Sequence, residues 1–494
     1  MPKYDTSDPL SIFSHSGGLL GHTLAQAVAA VDPSVDLNAI EHDGKGGLGQ
    51  LVEKYYFGYE PNSSPEPDFP EAGVELKVSP LKKGSKNKYI IKERLVCDMI
   101  DYFTLVEEQF EDSRFFRKSA LMLIIFYLHT TGCKRRDLKF IYSVLWQIKD
   151  KDLLIIKEDF KIIRDKVRRG LAHELSEGDT MYLGACRKGQ KGQVPRKQPF
   201  SEIQANARAF SLKPSYMRTI LDFVQNSGKN MVSNLSTTEM PGIELVTASE
   251  LMSETFDMIL QRRFEPFMGM DYKQIAHALQ IRIKRADKSR YANVVRHILH
   301  PRGLASEQDA EELRKAGIKI KTIRLQKNGK VKEHMSFEQI DYKEVLETEN
   351  WVDSKWYEII TTRYLFVVFR EVDNCVWDDE ARYILDKMFF WTMPPDDYAQ
   401  AEQFWNNIKR NVVNDTLMDR DSPYGSNTFW TLKDKRYFHV RPKARNSADA
   451  TVSPVSNRSV PKKAYWIDNR YLRKEIRTAY GKEWECIFNN KHNE

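Results

Sequence analysis

An internal repeat constrains the fold of this chain more than any other feature, because segments of its first half recur in the same order in its second half. A polar stretch rich in Ser, Asn and Thr near residues 226–246 lies between the halves and predicts a linker. An accidental likeness between unrelated strands would explain one matching pair, but not a series. We therefore predict two diverged copies of one domain. The matching pairs are Leu20–Val31 with Met268–Leu279, Ala72–Val78 with Ala316–Thr322, Leu145–Ile148 with Phe390–Met393, Asp159–Ile163 with Phe404–Ile408, and Arg208–Tyr216 with Lys463–Tyr471.

The two domains are predicted at residues 1–228 and 263–494, with a linker at 229–262. Helices and strands interleave in the first copy without a regular β-α-β alternation, so we expect an α/β fold of the mixed α+β kind. The hydrophobic patterns predict helices at 18–31, 48–57 and 157–169, and strands at 73–79, 120–128, 181–186 and 208–212.

The composition is that of an ordinary globular protein. Of its 494 residues, 41% are hydrophobic and 29% charged, which excludes a disordered or collagen-like chain. No apolar run approaches the roughly 18–20 residues that span a bilayer, and the N-terminal residues lack a secretory signal pattern. Five cysteines without a Cys-x-x-Cys pair indicate reduced thiols. We therefore expect a cytoplasmic protein with no membrane partner, and the net charge of +7 permits nucleic acid as a partner without requiring it.

The segment Pro67–Ser79 carries the residues best suited to chemistry. In a strand, side chains alternate between faces, so the apolar residues of this strand face the core while Glu75 and Lys77 share the opposite, exposed face. A turn at Gly73 brings Asp68 beside Glu75. The simplest alternative is a solvated ion pair on an exposed strand.

Two carboxylates beside an ammonium group suit metal-assisted hydrolysis of a phosphodiester. Mg²⁺ prefers oxygen ligands, and it polarises the phosphodiester and stabilises the leaving alkoxide. Lys77 would orient the attacking water, or help to deprotonate it if its surroundings lower its pKa. Glu53 would add a third carboxylate, and Lys118, which opens the next apolar strand, would add a second lysine over the phosphate.

Taken together, these motifs resemble the MutH family of PD-(D/E)xK nucleases, which includes the mismatch-repair nicking enzyme and the GATC-cutting type II restriction endonucleases of the Sau-three-A type. The tandem second copy is also a feature of the Sau-three-A branch. Ser211 stands where the mismatch-repair branch has a Tyr linked to reading adenine methylation, so the resemblance does not extend to that sensing. The matching residues are Lys45–Glu53, Asp68, Ala72–Lys77, Arg117 and Lys118, Ala172–Gly178 and Arg208–Lys213.

The resemblance implies two tandem restriction-endonuclease-fold domains, each a central mixed sheet flanked by helices. It also implies Mg²⁺-dependent cleavage of double-stranded DNA at GATC. Asp68, Glu75 and Glu53 would be the metal ligands. Lys77 and Lys118 would lie at the attacking water and the scissile phosphate.

Basic and glycine residues predict where DNA is contacted. Gly44–Gly49 has the spacing of a dinucleotide-binding loop, but no apolar strand precedes it, so a helix N-terminus that approaches DNA phosphate fits better. The alternative is a turn that only starts the helix. The basic stretch Arg187–Lys197 predicts a loop that enters a DNA groove, against the alternative of a solvated surface loop. The predicted DNA-binding residues are Lys45, Gly46, Gly47, Arg187, Lys188, Arg208, Lys213, Arg441 and Lys443.

The second copy has lost most of the acidic residues. Two of three carboxylates are replaced by basic residues, and such a site repels Mg²⁺ and attracts phosphate. We therefore predict a catalytically dead copy that binds DNA as an effector, with a purely structural role as the alternative. The matched positions are Lys319 for Glu75, Arg296 for Glu53, Glu312 for Asp68 and Lys321 for Lys77.

A type II restriction endonuclease is the favoured function. The alternatives are a strand-nicking mismatch-repair-type endonuclease and a non-catalytic DNA-binding regulator. One chain then holds one active site, so we expect a monomer in solution and, for a double-strand break, either a dimer on DNA or two successive nicks. A gene for a cognate DNA methyltransferase beside this one would favour restriction over repair.

Overall fold

The computed structural model describes residues 4–37, 40, 47–62, 64–84, 88–188, 195–228, 230–232, 242–372, 381–418, 426–446 and 448–488. The chain divides into two compact units, Met1–Phe256 with Gln308–Gly317, and Asp257–Glu307 with Ile318–Glu494. The segment predicted as a linker contains the helix Ala248–Ser253 and most of the helix Phe256–Phe264. The first of these begins with a reciprocal pair of hydrogen bonds between Thr247 and Glu250, a local helix signal within a polar segment. The domain boundaries at 228 and 263 stay a prediction.

A mixed five-stranded sheet forms the centre of the first unit, in the order β10-β5-β4-β1-β2. Strand β1 runs parallel to β4, and β5 runs antiparallel to β4. A second, antiparallel sheet has the order β3-β9-β6, and β7 and β8 pair with each other. The strands are β1 (Glu75–Lys83), β2 (Tyr89–Ile91), β3 (Leu95–Met99), β4 (Leu121–Leu128), β5 (Lys139–Gln147), β6 (Leu183–Arg187), β7 (Arg196–Gln198), β8 (Ser201–Ala205), β9 (Arg208–Leu212) and β10 (Asn230–Val232).

Both faces of the large sheet are covered. In β4, Leu123 and Ile125 lie in one core cluster with Val28 and Leu51, yet Met122 and Ile124 on the other face are equally buried. This explains why β4 is apolar along its whole length, as strands buried on both faces are.

Helices of the first unit differ in places from the predicted ones. The pattern at 18–31 yields a helix only from Leu24, because Gly21 adopts a φ of 84° and Thr23 caps the new helix. The helix predicted at 157–169 starts earlier, at Asp150. The α-helices with described bounds are Pro9–Ser16, Leu24–Val31, Leu48–Leu51, Tyr102–Leu105, Arg114–Ser119, Asp150–Arg168, Pro214–Ser227, Ala248–Ser253 and Glu311–Ala316, and a π-helical segment Val52–Phe57 continues the third.

In the second unit three strands of the larger sheet and three of the smaller sheet pair as their counterparts do in the first unit. Its larger sheet has the order β11-β13-β14, with β11 parallel to β13 and β14 antiparallel to it, and its smaller antiparallel sheet has the order β12-β18-β15. The strands are β11 (Lys319–Leu325), β12 (Met335–Gln339), β13 (Tyr364–Val372), β14 (Arg382–Trp391), β15 (Phe438–Pro442), β16 (Ala450–Val452), β17 (Ser459–Pro461) and β18 (Lys463–Ile467).

Strand registers confirm the repeat residue by residue. In the first unit Glu75 lies opposite Met122, and Met122 opposite Trp146. The second unit repeats this row as Lys319, Tyr364 and Trp391. The predicted fold class, a mixed α/β architecture used twice in tandem, is therefore confirmed.

Helices of the second unit enclose an aromatic core around the fully buried Trp356. Among the residues that the structure describes, no helix has the length and apolar character needed to cross a bilayer. The described cysteines, which exclude Cys375, are free thiols. The α-helices are Phe256–Phe264, Tyr272–Ala278, Arg290–Leu299, Tyr342–Glu347, Lys355–Thr361, Tyr398–Val413, Asn469–Tyr480 and Lys482–Phe488.

Candidate active site

Glu75, the first residue of β1, is the centre of an acidic and basic cluster in the first unit. Its Oε1 atom lies 2.6 Å from Nζ of Lys77 and 3.3 Å from Nζ of Lys118. The prediction of an exposed strand face is wrong, because Glu75 is only 2% exposed. The physical reason is the second covered face of the sheet, to which Glu75 belongs together with its neighbour Met122.

A tight turn brings Asp68 to Glu75, as predicted. Phe69 and Val74 exchange two backbone hydrogen bonds, and Gly73 takes the left-handed conformation that the turn requires, with a φ of 64°. Oδ2 of Asp68 then accepts a hydrogen bond from the amide of Leu76 at 2.9 Å. The amide of Asp68 itself donates to Oε2 of Glu75 at 3.2 Å, so each carboxylate is held by a backbone amide at or next to the other residue.

Glu53 completes a group of three carboxyl groups. It lies in the π-helical segment, which ends at Gly58 in the left-handed conformation. Burial and the nearby Asp68 carboxylate raise the pKa of Glu53 to about 7. Burial and Glu75 raise the pKa of Asp68 to about 6. Crowded negative charge of this kind is relieved when a cation binds.

The lysines differ from the sequence-based expectation in two respects. Burial opposes the charge of Lys77, but Glu75 outweighs it, so the pKa of Lys77 is raised and not lowered. Lys77 therefore fits a role in orienting water better than a role as a base. Lys118 lies in the last turn of the helix Arg114–Ser119 and does not open the strand. Its Nζ also donates to the carbonyl of Ser64 at 3.3 Å.

The cluster has the donor set of a hard divalent cation. Asp68 uses Oδ2 for its hydrogen bond with the amide of Leu76, and the Glu53 carboxyl feels the charges of both Asp68 and Glu75. Carboxylate oxygens are the ligands that Mg²⁺ prefers, and it keeps several waters beside them. The three carboxyl groups thus fit a metal ion, and the two ammonium groups fit a phosphate and its attacking water.

Two predicted DNA contacts are wrong in this structure, because Arg208 and Lys213 are buried at 2% and 7% exposure. The Arg208 guanidinium donates to the carbonyls of Ala185 and Leu175. The Lys213 ammonium donates to the carbonyl of Thr180. Both side chains hold the chain before and along β6 in place, a role that their charge does not suggest.

The other predicted DNA contacts have mixed outcomes. Lys45 and Gly46 lie outside the described residues, as does most of the basic loop after Lys188. Gly47 is exposed and precedes the helix Leu48–Leu51 as its N-cap. Arg187 is exposed at the end of β6.

The basic residues that follow β6 and β15 occupy equivalent positions. The amide of Lys188 donates to the carbonyl of Ala207 at 2.8 Å, and the amide of Lys443 donates to Lys462 in the same way at 3.0 Å. The Arg441 guanidinium lies 4.7 Å from the centre of the Trp466 ring. Each unit thus presents lysine at the same edge of its small sheet.

Sequence reasoning missed Tyr59 as a member of the site. Burial, followed by Asp68 and Glu53, raises the pKa of its hydroxyl, and that hydroxyl has no hydrogen-bond partner among the described residues. Tyr59 follows the turn at Gly58, and no pattern in the sequence marked it. The contact of Lys118 with the Ser64 carbonyl could not be predicted either, because every residue has a backbone carbonyl.

In the second unit, the counterpart of the cluster is basic. Lys319 pairs with Glu338, and Nζ of Lys321 donates to the carbonyl of Ser336 at 3.2 Å. Burial lowers the pKa of Lys321 to about 8. No side chain of that strand offers a carboxylate where β1 has Glu75.

The predicted counterpart of Asp68 needs a correction. Glu312 belongs to the first compact unit, where it binds Lys151 and the amide of Leu245. Glu307 takes the role instead, since its Oε1 accepts the amide of Ile320 at 3.2 Å as Asp68 accepts the amide of Leu76. The sequence alignment was displaced because a helix, Glu311–Ala316, replaces the short turn before the strand.

Comparisons with known proteins identify the family of this chain. The family model for the DNA mismatch repair enzyme MutH matches residues 57–159, a range that contains Asp68, Glu75, Lys77 and Lys118. The type II restriction enzyme Sau3AI of Staphylococcus aureus is 30% identical over 91% of this chain and 97% of its own length. The DNA mismatch repair protein MutH of Shewanella woodyi is 26% identical over 42% of this chain and 89% of its own length. The chain therefore belongs to the MutH-like type II restriction endonucleases of the Sau3AI type, and it is a site-specific deoxyribonuclease.

Proposed function

We propose that this chain cleaves double-stranded DNA at GATC with Mg²⁺ bound in the first unit. The observation that carries the proposal is the convergence of Asp68, Lys77 and Lys118 on the buried carboxylate of Glu75. The donor set of three carboxyl groups supports Mg²⁺, and the GATC specificity rests on the resemblance to the branch that cuts this sequence.

The side chains have distinct roles in this proposal. A bound Mg²⁺ would polarise the phosphodiester and stabilise the leaving alkoxide. Asp68 and Glu75 present oxygens that the turn and the strand hold rigidly, and Glu53 adds a third from the π-helical segment. Lys77, protonated beside Glu75, orients the attacking water, and Lys118 neutralises charge on the scissile phosphate.

Cleavage of plasmid DNA tests the proposal. The purified chain is incubated with Mg²⁺ and a supercoiled plasmid that carries a single GATC, and the cut ends are sequenced. A plasmid whose GATC is scrambled is the matched substrate, and EDTA is the metal control. We expect cutting at GATC, and only when Mg²⁺ is present. No cleavage would refute the catalytic proposal, and cuts at another sequence would refute the specificity.

For the second unit we propose a DNA-binding effector role without catalysis. The replacement of Glu75 by Lys319 supports the loss of metal binding, since an ammonium repels Mg²⁺. The equivalent placement of Lys188 and Lys443 supports a retained DNA surface. Lys443 is exposed, and it lies beside Arg445 at a polar surface depression.

Plasmids with one and two GATC sites test the effector role. We expect faster cleavage per site on the two-site plasmid, and we expect Lys443→Glu to reduce that rate to the one-site value. Lys343→Glu, a change at an exposed lysine of the same unit, is the matched control. Equal rates per site in the wild type would leave the second unit with a structural role only.

The arrangement of active sites bears on the product. With one catalytic unit per chain, we propose a monomer in solution that forms a dimer on DNA for a double-strand break. Nicked circles as the final product would favour the strand-nicking, repair-type alternative. A neighbouring gene for a cognate DNA methyltransferase would favour restriction.

A further inference from the structure

We propose that the second unit contains a transition-metal site of the zinc class, formed by His334, His439 and Asp468. One possible ligand atom from each of these three side chains lies within 4.8 Å of the other two. The site is separate from the acidic cluster of the first unit, and it does not depend on the function proposed above.

Strand pairing brings the three residues together. His439 lies in β15 opposite Trp466 of β18, and Asp468 directly follows β18. His334 directly precedes β12, whose first residue Met335 pairs with the last residue of β18. The three side chains therefore meet at one end of the sheet β12-β18-β15, on positions that the hydrogen-bonded strands hold rigidly.

His439 is the strongest single indication of a ligand. Its side chain is 0% exposed, and neither ring nitrogen has a hydrogen-bond partner among the described residues. Buried polar groups in folded proteins are nearly always paired, so two unpaired nitrogens on one imidazole need an explanation. A metal ion within the cluster supplies the missing partner for one nitrogen.

The distance between the other two ligands fits a zinc ion. Nδ1 of His334 lies 3.6 Å from Oδ2 of Asp468, close to the separation of about 3.4 Å expected for two ligands of a tetrahedral zinc ion. Nδ1 now accepts a hydrogen bond from the amide of Asn469 at 3.1 Å, and the ion would take over that lone pair. The released amide belongs to the first turn of a helix, where backbone donors lack helical partners.

Asp468 can offer Oδ2 to the ion while its hydrogen bonds at Oδ1 are kept. Its Oδ1 accepts hydrogen bonds from the amide and from Nε of Arg470, at 2.9 and 2.8 Å. Its Oδ2 has a longer contact of 3.2 Å with the same guanidinium and is the oxygen nearer His334. The Arg470 side chain is half exposed, so it can move aside while it stays on Oδ1.

The ligand set selects the metal. Two imidazoles and one carboxylate suit Zn²⁺, whereas Mg²⁺ and Ca²⁺ prefer oxygen ligands. His334 is 20% exposed, which gives the ion a route from solvent and a fourth position for water. The first unit lacks this site, because Gly184 and Lys213 occupy the positions of His439 and Asp468. The ion would tie β12, β15 and the helix Asn469–Tyr480 together.

Zinc retention by the full-length chain tests the inference. The protein is stripped with chelator, dialysed against micromolar Zn²⁺, and its metal content is measured by mass spectrometry. Glu75→Ala is used beside the wild type so that metal held by the acidic cluster is recognised. We expect one zinc per chain in both, unchanged in His277→Gln, an exposed histidine of the same unit. We expect at least tenfold weaker binding in His334→Gln.

A second measurement guards against misfolding. His334 is partly exposed, so His334→Gln should fold, and circular dichroism verifies this. His439→Ala, which removes the buried ligand, should show the same loss of zinc binding. Co²⁺ in place of Zn²⁺ should produce the visible absorption of a tetrahedral site in the wild type, and this absorption should be absent from His334→Gln and His439→Ala. Absence of bound zinc in the wild type, or equal binding by a folded His334→Gln, would overturn the inference. Either result leaves DNA cleavage by the first unit unaffected.

Discussion

Replacement of Glu75 by Gln removes one negative charge from the acidic cluster and keeps the side chain's shape. Oε1 of Glu75 contacts the ammonium groups of Lys77 and Lys118, at 2.6 and 3.3 Å, and Oε2 accepts the amide of Asp68. An amide side chain has one oxygen and one NH₂ group. Whichever way it turns, its NH₂ faces a donor, so Glu75→Gln cannot satisfy both sides of the site.

Two quantities follow from this geometry. Removal of one partner of a buried ion pair costs about 3–5 kcal/mol; because the lysine side chains keep 18% and 11% exposure, we expect about 3 kcal/mol of lost stability. A single electrostatic stabiliser of the transition state is worth about 10²–10³-fold in rate. Glu75 both binds the proposed metal and orients two lysines, so we expect about a 10³-fold loss in kcat/KM, or about 4 kcal/mol.

Cleavage of the single-site plasmid at saturating Mg²⁺ measures the rate, and urea unfolding measures the stability. Glu66→Gln is the matched control, because Glu66 is exposed in the loop before Asp68 and its carboxylate lies outside the cluster. We expect Glu66→Gln to stay within twofold of the wild type. A folded Glu75→Gln variant that cleaves within tenfold of the wild type would refute the reasoning.

Three further outcomes are expected. Lys77→Met should slow cleavage about 10²-fold while Mg²⁺ still binds, because the ammonium group orients water and is not a ligand of the metal. A parallel loss of Mg²⁺ affinity in calorimetry would contradict this role. Mg²⁺ affinity should fall as the pH drops below about 7, because Glu53 and Asp68 must lose protons to bind the ion. Their pKa values are raised to about 7 and about 6. An affinity that is constant from pH 5.5 to 8 would count against both ligands. Asp159→Ala should lower the free energy of unfolding by about 3 kcal/mol or more. The Asp159 carboxylate accepts hydrogen bonds from three backbone amides at 2.7 to 2.9 Å. A loss below about 1 kcal/mol in urea unfolding would show that these amides find other partners.

The part of the active site that could be predicted is the part within a short stretch of chain. Asp68, Glu75 and Lys77 lie within ten residues, and strand alternation with a glycine turn is enough to bring them together. The exposed setting expected for Glu75 was wrong, because both faces of its sheet are covered. Lys118 reaches its partner Ser64 across more than fifty residues, a contact that only folding creates.

Two DNA contacts were predicted wrongly because the charge of a residue does not show whether its side chain is buried. Arg208 and Lys213 look like DNA contacts in sequence, yet both are buried and donate to backbone carbonyls, Arg208 within the small sheet and Lys213 just before it. The alignment of Glu312 with Asp68 failed for a related reason: a helix stands where the first unit has a turn, and Glu307 accepts the equivalent amide.

The sequence by itself determined that one fold is used twice, that the first copy carries the acidic set and that the second has exchanged Glu75 for Lys319. These conclusions depend on residue identity and on the period of a strand, which are local properties of the chain. Only the tertiary structure decided which charges are buried, which carboxylate replaces Asp68 in the second unit, and that His334, His439 and Asp468 meet at the end of one sheet. Those facts depend on which strands pair and in which register, because side chains more than a hundred residues apart become neighbours only through the hydrogen bonds of the sheet.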